Sequence, residues 1–155
     1  LAVAAGISGA GIAGTFEPLF RDEIALAFFL PLVVYMADAV GTQTETVLVR
    51  ALAYGDVPIA RQLIREGVMG ALIGITIGSA AGAGLLLLDG RRSLAMVVAL
   101  TLFATSIVAT LIASLLPLWL ARIGADPALA SGPIATVVQD VLSVAIYLGV
   151  ATLLL

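Results

Sequence analysis

The stretch GALIGITIGSAAGAGLLLL (residues 70–88) carries no charged side chain and is about as long as the ~20 residues a helix needs to cross the hydrocarbon core of a bilayer. Its glycines recur at every fourth position: Gly70, Gly74, Gly78 and Gly82. On a helix this spacing clears one face of side chains, so that a neighbouring backbone can approach closely. The stretch therefore predicts a membrane helix that packs through a glycine seam. Small residues at Ala2, Gly6, Ala10 and Gly14 predict a second seam.

The composition extends this prediction to the whole chain. Hydrophobic residues make up 62% of the 155 residues and charged residues 11%, whereas soluble domains have about 45–50% and about 25%. Charges and turn formers divide the apolar sequence into five predicted spans, of which we expect the first to be truncated. These spans are residues 1–16, 24–53, 59–88, 92–120 and 128–155. The loops between them are short, so we predict an all-α membrane protein of one domain, residues 1–155, with antiparallel neighbouring helices.

Three missing residue types limit the chemistry. The sequence contains no cysteine, histidine or lysine, which excludes thiolate and imidazole sites for soft metals and also Schiff-base chemistry. The net charge is −3, and no basic cluster with interleaved aromatics suggests nucleic-acid binding. The remaining ligands are carboxylate, hydroxyl, amide and carbonyl oxygens, which suit hard cations such as Mg2+ or Ca2+.

Spans two and five each place an aspartate seven residues after a proline, at Pro31 and Asp38 and at Pro133 and Asp140. Seven residues are about two helical turns, so proline and acid share a face. A carboxylate at the centre of a membrane span costs about 2.5–3.5 kcal/mol on insertion scales, which makes such a residue a candidate for function. Loosened helices at this depth are typical of ion sites.

Polar residues form a stripe on each of these two helices. In span five the stripe consists of Thr136, Asp140, Ser143 and Tyr147, and in span two of Asp38, Thr42 and Glu45, with Gln43, Thr46 and Arg50 on an adjoining face. Two such stripes predict one shared aqueous path. The candidate metal ligands are Asp140, Asp38, Thr136, Thr42, Glu45 and Gln43. The alternatives are structural: Glu45 or Asp38 pairs with Arg50, and Asp140 is protonated or bonds a span-four hydroxyl. A two-fold axis between two chains would double each stripe.

Three segments resemble the membrane domain of the MgtE magnesium channel family. They are GADPALASGPIATVVQDVLSVAIYLGVATLLL (residues 124–155), GTQTETVLVRALAYGDV (residues 41–57) and FEP (residues 16–18). The resemblance implies a homodimer with five spans per chain and a pore at the dimer interface, lined by spans two and five. It implies passive Mg2+ conduction, with Asp140 as the acid that holds the hydrated ion. It also implies a prokaryotic inner membrane, a cytoplasmic amino end, and an upstream magnesium-sensing region that this chain lacks.

One segment departs from the family pattern. The family usually has Gly-Gly-Asn-x-Gly-x-Gln in span two, where this chain has Ala37, Asp38 and Ala39 in place of the first three residues. A second acid can change selectivity among Mg2+, Mn2+, Co2+ and Ca2+, or couple transport to another ion, so a Na+- or H+-coupled exchanger is the main alternative. We expect no enzyme, although Asp38 and Asp140 could form the dyad of an intramembrane aspartyl protease. A purely structural membrane dimer is the last alternative.

Overall fold

The computed structural model describes residues 2–55 and 57–155, and every regular element in this part of the chain is a helix. The helices are α1 (Ala2–Thr15), α2 (Glu17–Asp22), α3 (Ala25–Leu52), α4 (Ile59–Asp89), α5 (Arg92–Arg122) and α6 (Pro127–Leu154). Apart from Leu1, which lies outside the described residues, the five predicted spans coincide with α1 and α3 to α6 to within a few residues. The prediction of an all-α protein is confirmed.

The segment FEPLFRDE was expected to be a loop, and this was wrong, because it contains α2. Pro18 lies in the first turn of this helix, where a missing backbone N–H costs nothing. Arg21 donates to Glu17 one turn earlier at 2.6 Å, with the acid at the amino end and the base at the carboxyl end of the helix. Local sequence is therefore sufficient to make one helical turn here.

Among the described residues, four helical segments are long and apolar enough to cross a bilayer: Ala25–Leu52, Ile59–Asp89, Arg92–Arg122 and Ser131–Leu154. Helix α1 has 14 residues. At about 1.5 Å per residue it is shorter than the ~30 Å of a hydrocarbon core. The structure thus gives four candidate spans, and the fifth stays a prediction.

Helix α5 lies at the centre of the bundle. It packs against α4 on one side and against α3 and α6 on the other, while α3 and α6 also pack together and α1 packs on α6. The core between α3, α5 and α6 is apolar and includes Leu26, Val33, Val97, Val98, Leu102 and Leu148. Helix α4 by contrast exposes large apolar side chains along its outer face, among them Val68, Leu72, Ile75 and Leu87. The centre of the bundle therefore positions α3 beside α6.

The glycine seam of α4 packs against the backbone of α5, as predicted. A Cβ built on Gly74 would lie 2.8 Å from the carbonyl oxygen of Phe103, and one built on Gly78 would lie 2.6 Å from that of Ala99. These distances are far below ordinary contact, so only glycine allows the two backbones to approach so closely. The predicted seam of α1 differs, since a Cβ built on Gly6 or Gly14 would meet nothing within 4 Å among the described residues.

The hydroxyls of α5 are used within the bundle. Thr105, Ser106 and Ser114 each donate to a carbonyl four residues earlier, at 2.7 to 2.8 Å. Thr110 contacts the carbonyl oxygen of Glu66 in α4 at 2.9 Å. These four hydroxyls thus satisfy helix carbonyls, whereas the buried Oγ1 of Thr101 has no hydrogen-bond partner among the described residues. The four bonded hydroxyls give stability to the helix that supports the site.

An ion-pair cluster joins the α4–α5 connection to the start of α3. Arg91 donates to Asp89 at 2.5 Å and to Glu23 at 2.7 Å. These hydrogen bonds, to Asp89 first and then to Glu23, raise the pKa of Arg91 above its ordinary value. Glu23 also accepts from the backbone N–H of Ala25 at the beginning of α3. One end of the bundle is thereby fixed in place.

Candidate ion-binding site

The site is built on the contact between α3 and α6. Three side-chain hydrogen bonds cross this contact, from Tyr147 to the carbonyl oxygen of Leu26 at 2.9 Å, from Thr136 to Asp38 at 3.2 Å, and from Ser131 to Glu45. Along these three bonds the residue numbers fall on α6 as they rise on α3. The two helices are therefore antiparallel, and the three bonds share one register. Polar side chains thus decide how the two helices are aligned.

Asp38 lies half-buried at the edge of this contact. Its Oδ1 accepts the hydrogen bond from Thr136, and its carboxylate also lines an open groove of 440 Å³ on the outer face of α3. Thr42 and Gln43 line the same groove and are exposed. The groove therefore brings three of the predicted ligands to one surface of one helix, with oxygens suited to a hard cation.

Asp140 lies one helical turn beyond Thr136 on α6, and it is also half-buried. It is the polar side chain of a 320 Å³ cavity between α1, α3 and α6, whose other walls are Gly6, Gly9, Ala10, Ala13, Leu30, Pro31, Val34 and Val144. Thr136, which bonds Asp38, lies one turn before Asp140 on α6, so the two carboxylates belong to neighbouring positions of the α3–α6 contact. Two neighbouring carboxylates attract a cation placed between them.

Glu45 lies apart from these two acids. It is 8% exposed, and its carboxyl group meets the hydroxyl of Ser131, which also lies 2.5 Å from the carbonyl oxygen of Pro127. A hydroxyl has one proton and can donate to one of these two acceptors at a time. Glu45 therefore belongs to the packed contact between α3 and α6 and not to the open groove.

The structure bears on the two structural alternatives, an ion pair with Arg50 and a hydroxyl partner for Asp140. Within residues 2–55 and 57–155, neither Glu45 nor Asp38 forms a salt bridge with Arg50, and no α5 hydroxyl bonds Asp140. The predicted stripe of α6 divides, because Thr136 and Asp140 border open space whereas Ser143 and Tyr147 are buried. In the same described part of the chain, no three acidic side chains come close enough to hold a metal.

Sequence reasoning missed two residues at this contact. Ser131 lies within the segment of residues 124–155, and Gln139 directly precedes Asp140, but neither residue was predicted to contribute to this contact. Gln139 is 2% exposed and its amide lies against the backbone of Gly41 in α3. The signal available in the sequence for Gln139 was a glutamine, whose amide needs hydrogen-bond partners, within the mostly apolar helix α6.

A sequence model of the MgtE family, described as divalent cation transporter, matches residues 30–150, which include both α3 and α6 with their acids. The chain belongs to the MgtE family. Three bacterial relatives, each called magnesium transporter MgtE, are similar over nearly all of this chain. Identity is 35% to the Bacillus subtilis protein over 95% of the chain, 35% to the Thermus thermophilus protein over 97%, and 32% to the Enterococcus faecalis protein over 96%.

The match confirms the resemblance read from the sequence. With its apolar helices, this MgtE-family chain is an integral membrane protein, and because the family consists of transporters, it is not an enzyme. The aspartyl-protease alternative is thereby removed. The chain spans about a third of the length of these MgtE relatives, between 33% and 34%.

Proposed function

We propose that this chain is the membrane domain of a passive divalent-cation channel, that Mg2+ is its ion, and that two copies form one pore between them. In this proposal α1 completes five spans per chain, and α3 and α6 line the pore. The amino end faces the cytoplasm of a bacterium, and a magnesium-sensing region lies upstream in the full-length protein. Relatives named for magnesium transport support the choice of ion.

The observation that carries the proposal is the Thr136–Asp38 bond. It ties Asp38 to a residue one helical turn from Asp140 on α6, and each of the two carboxylates borders an open space, Asp38 the groove of α3 and Asp140 the pocket beside α1. In the proposal, both spaces belong to the pore. Magnesium dehydrates reluctantly and is usually held by one or two carboxylates through its waters. A pair of acids with hydroxyl and amide neighbours is sufficient for such a hydrated ion.

The proposed dimer is supported by the open groove of α3. The described residues bring no three acids together, and the groove that contains Asp38, Thr42 and Gln43 is open on its outer side. An open polar groove at membrane depth needs a cover that is not lipid, since lipid offers it no hydrogen bonds. A second copy related by a two-fold axis supplies the same groove and the same acids. The pore between the two copies would then contain four carboxylates, those of Asp38 and Asp140 from each chain.

The test is Mg2+ flux into liposomes that contain wild-type protein or Asp140→Asn, driven by an imposed potential alone. A potential of 100 mV supplies about 2.3 kcal/mol per charge, so a passive pore needs no other gradient. Wild type is expected to conduct and Asp140→Asn to lose flux, with Ca2+, Mn2+ and Co2+ added as competitors. Equal flux through both proteins would contradict the role of Asp140. Flux at the level of empty liposomes would favour the structural dimer.

A coupled exchanger is the second candidate, and Asp38 favours it. The extra acid gives each chain a second negative charge beside Asp140, which could hold a Na+ ion or a proton during a transport cycle. The same liposomes distinguish the two mechanisms. Flux that saturates and requires an opposing Na+ or H+ gradient would establish exchange, whereas flux driven by potential alone would establish a channel.

A further inference from the structure

Gln139 joins three helices immediately beside Asp140. Its side chain is 2% exposed, and its Nε2 donates to the carbonyl oxygen of Ala109 in α5 at 3.4 Å. The same amide group lies against Gly41 of α3. Gln139 thus contacts the backbones of both helices that flank α6.

The contact with Gly41 leaves no room for a side chain there. A Cβ built on Gly41 would lie 2.6 Å from the amide carbon of Gln139, and the three atoms nearest to it all belong to this one side chain. Gly41 is buried and lies in the middle of α3, where glycine is otherwise unfavourable by about 1 kcal/mol relative to alanine. Its place in the helix is explained by the amide that fits against it.

This fit lies at the level of the two acids. Gly41 lies about one turn from Asp38 on α3, and Gln139 is the residue next to Asp140 on α6, so this contact joins the two helices close to both acids. Neighbouring residues on a helix point about 100° apart. Fixing the direction of Gln139 therefore fixes the direction of Asp140.

We propose that Gln139 is a positioning residue for ion selection, which sets the rotation of α6 and hence the spacing between Asp38 and Asp140. The inference rests on the proposed function, because spacing between carboxylates matters only if they hold the ion. Gln139 itself does not touch the ion, since its amide is occupied by Gly41 and Ala109. Residues that orient metal ligands from behind typically change affinity by about 10–100-fold when replaced.

The first test replaces each partner. Gln139→Met keeps an unbranched chain of similar length but cannot donate to Ala109. Gly41→Ala pushes the amide away from α3. Both variants are expected to change the ratio of Mg2+ to Ca2+ transport by about tenfold. The matched control is Gln62→Met on α4, which removes a glutamine amide that bonds Glu66 at 2.8 Å and lies outside the α3–α6 contact, and which should keep the wild-type ratio.

The second test is rescue. In the double variant Gly41→Ala/Gln139→Ala, the added methyl group occupies space that the lost amide vacates, so the ratio should return towards the wild-type value. A merely structural role would alter the unfolding free energy without moving this ratio. The positioning role would be overturned, and the channel left intact, if Gln139→Met and Gly41→Ala keep the wild-type ratio in proteoliposomes in which Asp140→Asn has lost flux. Wild type that does not conduct would overturn the channel and the positioning role together.

Discussion

The three acids of α3 and α6 are accommodated in three different ways. Asp38 accepts a hydrogen bond from Thr136 and keeps one side towards an open groove. Glu45 is buried against Ser131. Asp140 faces a cavity whose other walls are apolar. Among the described residues Asp140 has no hydrogen-bond partner, and an unpartnered carboxylate is the most costly of the three in a bilayer, so its position is the one that the proposed role as an ion ligand would explain.

Removing the side chain of Glu45 should destabilise the fold, and neutralising it should not. Glu45→Ala leaves Ser131 with one partner fewer, which should lower the unfolding free energy by about 1–2 kcal/mol. Glu45→Gln supplies an N–H that can donate to the Ser131 hydroxyl while that hydroxyl donates to Pro127. Its stability should match or exceed that of wild type. The unfolding free energies of both variants can be measured in detergent micelles. A Glu45→Gln variant as unstable as Glu45→Ala would contradict this account of the contact.

Asp38→Asn should weaken ion selection without abolishing transport. The asparagine Oδ1 can still accept from Thr136, so the contact between α3 and α6 is kept while one negative charge per chain is lost. Less negative charge in the pore should reduce Mg2+ competition against monovalent cations by about tenfold. Potential-driven liposome flux in mixed salts gives this ratio. A complete loss of flux would instead assign Asp38 the role proposed for Asp140.

At the scale of elements, the α4–α5 seam predicts a sharp difference between two glycines of one helix. Gly78→Ala should lower the unfolding free energy by about 1–3 kcal/mol, because the new methyl group meets the Ala99 carbonyl oxygen at 2.6 Å. Gly84 has no neighbour within 4 Å. Gly84→Ala is the matched control and should be neutral or stabilising by up to about 1 kcal/mol, through helix propensity alone. Equal unfolding free energies for the two variants would show that the seam is looser than described.

The spans were predictable because hydropathy, turn formers and glycine spacing are local properties. Residues 59–88 as predicted and Ile59–Asp89 as observed differ by one residue. Helix α2 was missed, since charges and a proline indicate a boundary and do not show whether the boundary itself makes a helical turn. The sequence predicted a small-residue seam on α1 but not which helix packs against it. Local pattern finds a small-residue face but does not identify what covers it.

The site was predictable in part, for a related physical reason. Helical spacing placed Asp140 and Thr136 on one face and Asp38 on another helix. Which faces of α3 and α6 meet depends on the rotation of both helices, and this is decided by contacts such as Ser131–Glu45 and Gln139–Gly41. Such contacts join residues far apart in the sequence, 86 positions for Ser131 and Glu45, so a single helix pattern does not contain them.

At the scale of the whole molecule, the proposed dimer predicts which surfaces crosslink. The chain has no cysteine, so single cysteines report without background. Thr46→Cys, on the exposed face of α3 beside the groove, should form a disulfide between two chains in membranes under oxidation. Leu87→Cys, at a position 87% exposed on the outer face of α4, is the control and should stay monomeric. Crosslinking through Leu87→Cys alone would place the interface on α4 and leave the groove of α3 facing lipid.

The α4–α5 seam has a consequence for biosynthesis. Gly90, with a backbone φ of 70°, and Arg91 are the whole connection between two helices of 31 residues each. The closest backbone approaches join positions near in the chain, from Gly82 with Ala95 to Gly70 with Ile107. These contacts need nothing from α3 or α6, so they can form once α5 has left the ribosome and while α6 is still inside its exit tunnel. The pair can therefore enter the bilayer from the translocon as a preassembled hairpin, against which α6 and its aspartate are added afterwards.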